Sequence, residues 1–202
     1  MRGLHYSITR ARPRSRSERS YRTYPIQIDY HGEVSHQYRN IRDGEIVLHP
    51  RFPETVWVVV EQVPEAPYRF AYDAVKRVFC RTDRSSLIHL RGFSGLYGWI
   101  GGTGSPPGPH FDVLLFTDER PRLGDILPGH ICGMYRRADG DHKFVAVAPA
   151  QRHKMAGADL QHLDECQREE LTGFYAHPRD SEAWLGGDLA RRYLSANEPT
   201  HG

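Results

Sequence analysis

The chain has 202 residues and a mass of 23.2 kDa, a size that suits one domain of ordinary dimensions with a tail. Its net charge of +2 is typical neither of a nucleic-acid-binding protein nor of an acidic one, and a mean hydropathy of −0.63 argues against a membrane span. The charge is unevenly distributed, because residues 1–22 hold seven arginines and one glutamate and so carry +6. The rest of the chain therefore carries −4.

The N-terminal quarter divides into two predicted parts. Residues 1–22 are rich in arginine and serine and poor in large apolar residues, which predicts a basic, disordered tip. A mitochondrial-type presequence is the alternative, because it has a similar composition. Residues 23–52 form an N-terminal extension, in which the alternation of apolar and polar residues over 24–48 predicts two or three short strands.

Residues 53–196 form the predicted main domain, and most of it is rich in β-forming residues. The run Val56–Val63 is a strong strand signal, and further short apolar runs follow it, each bounded by Gly, Pro or Asp: YRFAYD, RVFC, SLIHL, YGWI, FDVLLF, ILPGHICGMY and KFVAVAP. Many short strands in succession indicate a closed antiparallel barrel.

The C-terminal part of this domain changes to a helical pattern. Apolar residues near a helical period predict one helix over 158–177 and a second over 181–196, with Ser181 as a candidate N-cap. Residues 197–202 are predicted to be a flexible end. The three cysteines, Cys80, Cys132 and Cys166, include no Cys-x-x-Cys pair, which favours a reducing, cytoplasmic setting.

Three aspartates are candidate ligands for a metal ion. Asp112 opens an apolar strand, while Asp139 and Asp141 flank Gly140 just before another strand. Acids at two strand edges can converge on a hard cation such as Mg²⁺. Asp-Gly-Asp is also a common turn sequence, so a plain turn is the alternative on spacing alone.

The run YGWIGGTGSPPGPHFDVLLF, residues 97–116, resembles the active-site segment of the soluble family I inorganic pyrophosphatases. In that family a Tyr-Gly-aromatic-Ile start leads without a gap into Asp-Gly-Asp-Pro-x-Asp-Val-Leu, and the distance from Tyr97 to Asp112 is the family's spacing. Other segments resemble family segments in the same order: VWVVVEQVP, YRFAYD, Asp83–Arg84, GDILPGHICGMYRRADGDHKFVAV, FYAHPRDSE and AWLGGDLARRYL. The resemblance covers residues 53–196 and implies a mainly β (α+β) fold, an OB-like closed β-barrel with two C-terminal helices.

The resemblance also implies roles for single residues. Asp112, Asp139 and Asp141 match metal-ligand aspartates, and Glu61 matches a metal-site glutamate unless a one-residue shift puts Gln62 there. The implied catalytic residues are Asp112, Lys143 and Tyr97. The implied phosphate-binding residues are Arg69, Arg84, Lys143, Tyr97 and Arg179, of which Arg69 and Arg179 stand where the family has lysines.

The sequence departs from the family at two motif aspartates, which are Pro107 and Pro109 here. Proline has no side-chain donor atom, so a metal pair that activates water should bind less well. His110 could take over as a ligand, because on an extended chain it points the same way as Asp112. The resemblance implies Mg²⁺ as the cofactor, whereas ligation by His110 would favour Mn²⁺ or Zn²⁺.

The function implied by the resemblance is hydrolysis of pyrophosphate or another diphosphate compound with a divalent metal, by an inorganic-diphosphatase-like enzyme with a degenerate metal site. Two alternatives remain open: an enzyme acting on another small anionic metabolite, and a non-catalytic homologue that binds an anion or a partner. We expect a small phosphate-bearing substrate, a homo-oligomer, no membrane partner and no specific nucleic acid. The basic tip would bind phosphate backbones weakly at most.

Overall fold

A computed structural model of the chain describes residues 27–28, 34–35, 38–42, 44–152 and 159–198. The contacts divide the chain into two units, residues 1–35 and 36–202. In the first unit, strands β1 (Gln27–Ile28) and β2 (Val34–Ser35) pair antiparallel, within the segment where short strands are predicted. The predicted basic tip, residues 1–22, and residues 199–202 of the predicted flexible end lie outside the described residues.

The second unit is built on a closed barrel of five strands. Each strand pairs with the next and the last returns to the first, in the order β3 (Thr55–Gln62), β6 (Leu96–Ile100), β7 (Asp112–Phe116), β9 (Lys143–Val147) and β8 (Ile126–Arg136). All pairs are antiparallel except β7 with β9, so the prediction of an all-antiparallel barrel is wrong for that pair. Between β7 and β9 the chain passes through β8, which runs in the opposite direction. Strand β9 therefore runs parallel to β7.

The barrel strands are buried almost without interruption, which explains their near-continuous apolar sequences. One apolar cluster is centred on Trp99, whose side chain is fully buried. A second cluster joins Phe93, Phe116 and Phe174, with ring centroids 5.0 Å apart for Phe93 and Phe116 and 5.8 Å apart for Phe93 and Phe174. The second cluster fixes the C-terminal helical segment to the barrel.

The segment SLIHL is a helix and not the predicted strand. It follows the antiparallel hairpin of β4 (Tyr68–Asp73) and β5 (Val78–Ser85) and forms the short helix α1 (Leu87–Leu90). Ser86 caps this helix, since its hydroxyl accepts a hydrogen bond from the backbone N–H of His89. Ile88 alone faces the core, while Leu87 and Leu90 are exposed, a burial pattern that one helical turn produces.

The C-terminal region contains the two predicted helices, α3 (Glu165–Phe174) and α4 (Gly187–Ala196), preceded by the short helix α2 (Pro149–Arg152) and a 3₁₀ turn (Leu160–His162). The predicted N-cap at Ser181 is wrong, because strand β10 (Ala183–Gly186) separates it from α4. Strand β10 forms here because its backbone pairs with the far end of β8, from Ala183 opposite Arg136 to Gly186 opposite Gly133. Within the described residues, no helix is both long and apolar enough to cross a membrane.

Candidate functional site

A cavity of about 1190 Å³ lies against the barrel, and we refer to it as the basic cavity. The hairpin β4–β5, helix α1, the loop before β7, the ends of β8 and β9 and the C-terminal end of α3 all contribute to its wall. Six cationic side chains line it: Arg69, Arg84, Arg91, Arg137, Lys143 and Arg179. Among the residues that the structure describes, three carboxylates do so, those of Asp112, Asp141 and Glu182, and the excess of positive charge suits an anionic ligand.

Asp112 contacts three polar side chains of the cavity: Lys143, His110 and Tyr97. The parallel register of β7 and β9 sets it opposite Lys143, whose Nζ donates to Asp112 Oδ2 and, at 2.7 Å, to Asp141 Oδ1. The other oxygen, Oδ1, lies 3.2 Å from His110 Nε2. The hydroxyl of Tyr97 also donates a hydrogen bond to Asp112.

These contacts decide the protonation of the cluster. Burial alone would raise the pKa of Asp112, but the hydrogen bonds from His110, Lys143 and Tyr97, together with the charge of Lys143, hold it at about 2. Burial and the neighbouring Asp112 charge raise the pKa of Tyr97 well above its ordinary value. Asp112 is therefore an ionised acceptor and Tyr97 a neutral donor over the whole physiological range.

His110 faces an acceptor on each side of its ring. Its Nδ1 lies 2.6 Å from the carbonyl oxygen of Gly108, and its Nε2 faces Asp112. Burial opposes a charge here, but these two hydrogen bonds raise the pKa of His110. Both ring nitrogens of His110 are therefore engaged in this arrangement, one with the Gly108 carbonyl and one with Asp112.

Asp139 and Asp141 are held by one arginine. Arg137 Nη2 lies 2.6 Å from Asp139 Oδ2, and Arg137 Nη1 lies 3.1 Å from Asp141 Oδ2. The backbone N–H of Asp141 donates to Asp139 and, with Arg137, lowers the pKa of Asp139. The turn brings Asp141 to Lys143 and hence to Asp112, whereas Asp139 does not line the cavity.

Glu61 and Gln62 are adjacent in β3 but occupy different places. The pairing of β3 with β6 shifts register between Val60 and Gln62, so Glu61 is the extra residue of a bulge. Glu61 is buried, and burial raises its pKa to about 7 although Arg69 and the backbone N–H of Tyr72 counteract it. Gln62 lines the cavity, and its Oε1 accepts a hydrogen bond of 3.1 Å from Ser86 Oγ.

The predicted metal ligands do not fit a centre for two divalent cations. Nowhere in the described part of the chain do three His, Cys, Asp or Glu side chains come together as a metal-binding group. A hard cation needs several free oxygen ligands, but Asp112 and Asp141 are bridged by the ammonium of Lys143. Pro107 and Pro109 line the cavity and offer no donor atom.

The predicted phosphate-binding residues all line the basic cavity: Arg69, Arg84, Tyr97, Lys143 and Arg179. The side chains of Arg69, Arg84 and Arg179 form no salt bridge with any residue that the structure describes. Three further cavity residues are not predicted by the sequence pattern as binding residues: Arg91, Arg137 and Gln62. Only Arg137 had a local signal, its position four residues before Asp141.

The barrel and its helices define the fold class of the inorganic pyrophosphatases, as comparison with solved structures shows. The inorganic pyrophosphatase of Ehrlichia chaffeensis gives a TM-score of 0.59 at 18% identity, over 75% of this chain and 98% of that one. The enzyme of Neisseria gonorrhoeae gives 0.58 at 22% identity (75% and 94% covered), and that of Thermus thermophilus gives 0.56 at 19% (74% and 92% covered). No family model and no curated protein matches the sequence. The likeness confirms the predicted OB-like barrel with two C-terminal helices.

Proposed function

We propose that the protein binds a small phosphate-bearing substrate, a diphosphate compound, in the basic cavity. The observation that carries this proposal is that the carboxylates of the wall are already paired while three arginines are not. Asp112 and Asp141 bind Lys143, and Glu182 accepts hydrogen bonds from Tyr135 and two backbone N–H groups. Arg69, Arg84 and Arg179 therefore leave a positive charge that a ligand can neutralise.

Each proposed binding residue suits phosphate oxygens. A guanidinium group offers parallel N–H donors that match two oxygens of one phosphoryl group, so Arg69, Arg84 and Arg179 can bind it as planar forks. Tyr97 stays neutral, and its single O–H, which donates to Asp112 in this structure, would have to turn to a phosphate oxygen on binding. Lys143 adds positive charge at the end of the cavity where Asp112 and Asp141 lie.

Hydrolysis of pyrophosphate or another diphosphate is the second candidate, and the pyrophosphatase-like fold favours it. Asp112, Lys143 and Tyr97 are its proposed catalytic residues, with a divalent metal as its cofactor: Mg²⁺, or Mn²⁺ or Zn²⁺ with His110 as a ligand. Because the carboxylates as arranged do not fit a metal pair, we derive no step through a metal. A homo-oligomer, a cytoplasmic location and the absence of a nucleic-acid partner stay predictions.

Calorimetric titration of the full chain with pyrophosphate, in EDTA, tests the binding proposal. We expect saturable binding that Arg84→Ala weakens about ten-fold or more, because a charge-assisted hydrogen bond is worth roughly 1.5–3 kcal/mol. Arg120→Ala is the matched control, since Arg120 pairs with Glu65 outside the cavity. Absence of binding, or equal weakening by both variants, would contradict the proposal.

Phosphate release from pyrophosphate separates binding from hydrolysis. The assay uses Mg²⁺, Mn²⁺, Zn²⁺ and Co²⁺ in turn, with Asp112→Asn as the comparison. Release that the Asp112→Asn variant loses supports hydrolysis. Saturable binding without release under any of the four metals leaves binding as the function.

A further inference from the structure

The basic cavity is larger than inorganic diphosphate requires. Its volume of about 1190 Å³ exceeds the roughly 300–1,000 Å³ of cavities that enclose drug-sized ligands. Building on the proposed function, we infer that the natural ligand is a diphosphate ester, whose organic group lies on an apolar wall beside the phosphate-binding arginines. The shared chemistry is an organic group joined through oxygen to a diphosphate, as in nucleoside and isoprenoid diphosphates.

The apolar wall consists of Leu87, Ile88 and Phe174, all of which line the cavity. Ile88 and Phe174 are held in the second apolar cluster and are only 1% and 3% exposed, so they form the fixed base of the wall. Leu87 is 52% exposed although it is a large aliphatic residue, and this exposed side chain lines the cavity. A ligand that carries only phosphates would leave the Leu87 side chain in water, whereas an organic group would cover it.

Gln62 adds a directed polar group next to this wall. Its side chain is buried, with 5% of the residue exposed, and Ser86 Oγ fixes its Oε1. Its Nε2 has no hydrogen-bond partner among the described residues, and Gln62 lines the cavity. An amide donor held in this way can donate a hydrogen bond to an acceptor on the ligand.

The apolar wall and the phosphate-binding residues are close together in the sequence. Arg84, Ser85 and Leu87 all line the cavity, and Ser86 between them holds Gln62. Three peptide links separate Arg84 from Leu87, so their Cα atoms lie at most roughly 11 Å apart. One ligand can therefore place its phosphates on Arg84 and its organic group on Leu87.

The test compares three probes by calorimetric titration of the full chain: pyrophosphate, ADP and geranyl diphosphate. We expect at least one ester to bind ten-fold or more tightly than pyrophosphate, because each carbon group buried in an apolar pocket contributes about ten-fold or more. A preference for ADP indicates a nucleoside as the organic group, and a preference for geranyl diphosphate indicates an isoprenoid.

Two substitutions in helix α1 locate the organic group. Leu87→Ser should reduce the ratio of ester affinity to pyrophosphate affinity several-fold. Leu90→Ser is the matched control, since Leu90 is also exposed on α1 but does not line the cavity. An unchanged ratio in Leu87→Ser, or equal losses in the two variants, would overturn the wall assignment.

The remaining outcomes separate this inference from the proposal beneath it. If pyrophosphate binds as tightly as both esters or more tightly, the inference fails while the proposed function stands. If none of the three probes binds, the proposed function fails and the inference fails with it.

Discussion

Lys143 supplies a positive charge between two carboxylates that the resemblance assigns to a metal. Its Nζ contacts both Asp112 and Asp141, and the side chains of Lys143 and Asp112 are only 8% and 10% exposed. Removing one partner of a buried ion pair leaves the other charge uncompensated and typically costs about 3–5 kcal/mol. The integrity of this end of the cavity therefore depends on the Lys143 ammonium.

We expect Lys143→Met to lower the free energy of unfolding by about 3 kcal/mol, at the lower end of that range because His110 and Tyr97 still bind Asp112. Urea denaturation measures the change. Lys76→Met is the matched control: Lys76 pairs with Asp73 at an exposed site, so its loss should cost below about 1 kcal/mol. Equal losses in the two variants would contradict a buried, compensated pair.

At the level of the element, one bulge in strand β3 determines where its two polar residues, Glu61 and Gln62, are placed. The extra residue at Glu61 lets Glu61 be buried while its neighbour Gln62 lines the cavity. Burial raises the pKa of Glu61 from 4.5 to about 7, with Arg69 and the Tyr72 N–H acting against it. The strand thus holds an acid that is largely protonated in the folded state below neutral pH.

This raised pKa makes stability fall as pH rises. Between about pH 4.5 and 7 the folded state keeps the Glu61 proton while the unfolded state releases it, so folding is progressively penalised and the penalty is complete above pH 7. Between pH 5 and 8 the penalty amounts to about 2 to 3 kcal/mol. Glu61→Gln cannot titrate, so we expect its stability relative to the wild type to rise by that amount between pH 5 and 8.

Denaturation curves of the wild type and Glu61→Gln at both pH values measure this difference. The raised pKa of His110 also makes stability fall with rising pH in both proteins, but this contribution does not cancel fully, because the charge of Glu61 is one of the causes of the His110 shift. Glu65→Gln is the control, because Glu65 is an exposed neighbour on the following loop. A constant difference between wild type and Glu61→Gln from pH 5 to 8 would contradict the raised pKa.

The elements that could be predicted from the sequence are those whose own residues decide their structure. The five barrel strands have long apolar runs, and helix α3 has an apolar period with the capping residue Asp164. Helix α1 and strand β10 have only four residues each, so their secondary structure depends on contacts with distant residues. Ile88 packs in the second apolar cluster, and β10 pairs with β8. A single sequence does not contain those contacts.

The same distinction holds for the candidate site. The spacing from Tyr97 to Asp112 carries the family resemblance, and the two residues lie on paired neighbouring strands, where Tyr97 bonds Asp112. The bond between Lys143 and Asp112 depends on the parallel register of β7 and β9, and the Gln62–Ser86 bond joins residues 24 positions apart. Neither pairing leaves a local signal, which is why the acids could be predicted as metal ligands but not as partners of cations.

For the whole molecule, net charge is a poor guide to the ligand. Residues 23–202 carry −4, yet the basic cavity has six cationic side chains against three carboxylates, all three of which are paired. A cleft that concentrates one sign of charge attracts the opposite ion whatever the sign of the surrounding surface. We therefore expect the proposed diphosphate ligand to bind best in its free form, without a bound metal ion.

This charge balance predicts that Mg²⁺ weakens ligand binding. Mg²⁺ neutralises part of the diphosphate charge and competes with Arg69, Arg84 and Arg179 for the same oxygens, so we expect affinity to fall roughly ten-fold, or about 1.4 kcal/mol. Calorimetric titration with methylene diphosphonate, which cannot be hydrolysed, measures the effect. KCl at matched ionic strength is the control, because it screens charge without binding the ligand specifically. Tighter binding in Mg²⁺ than in KCl would contradict this prediction. It would mean that Asp112 and Asp141 exchange Lys143 for a metal ion, and metal-dependent hydrolysis would then replace metal-free binding as the proposed function.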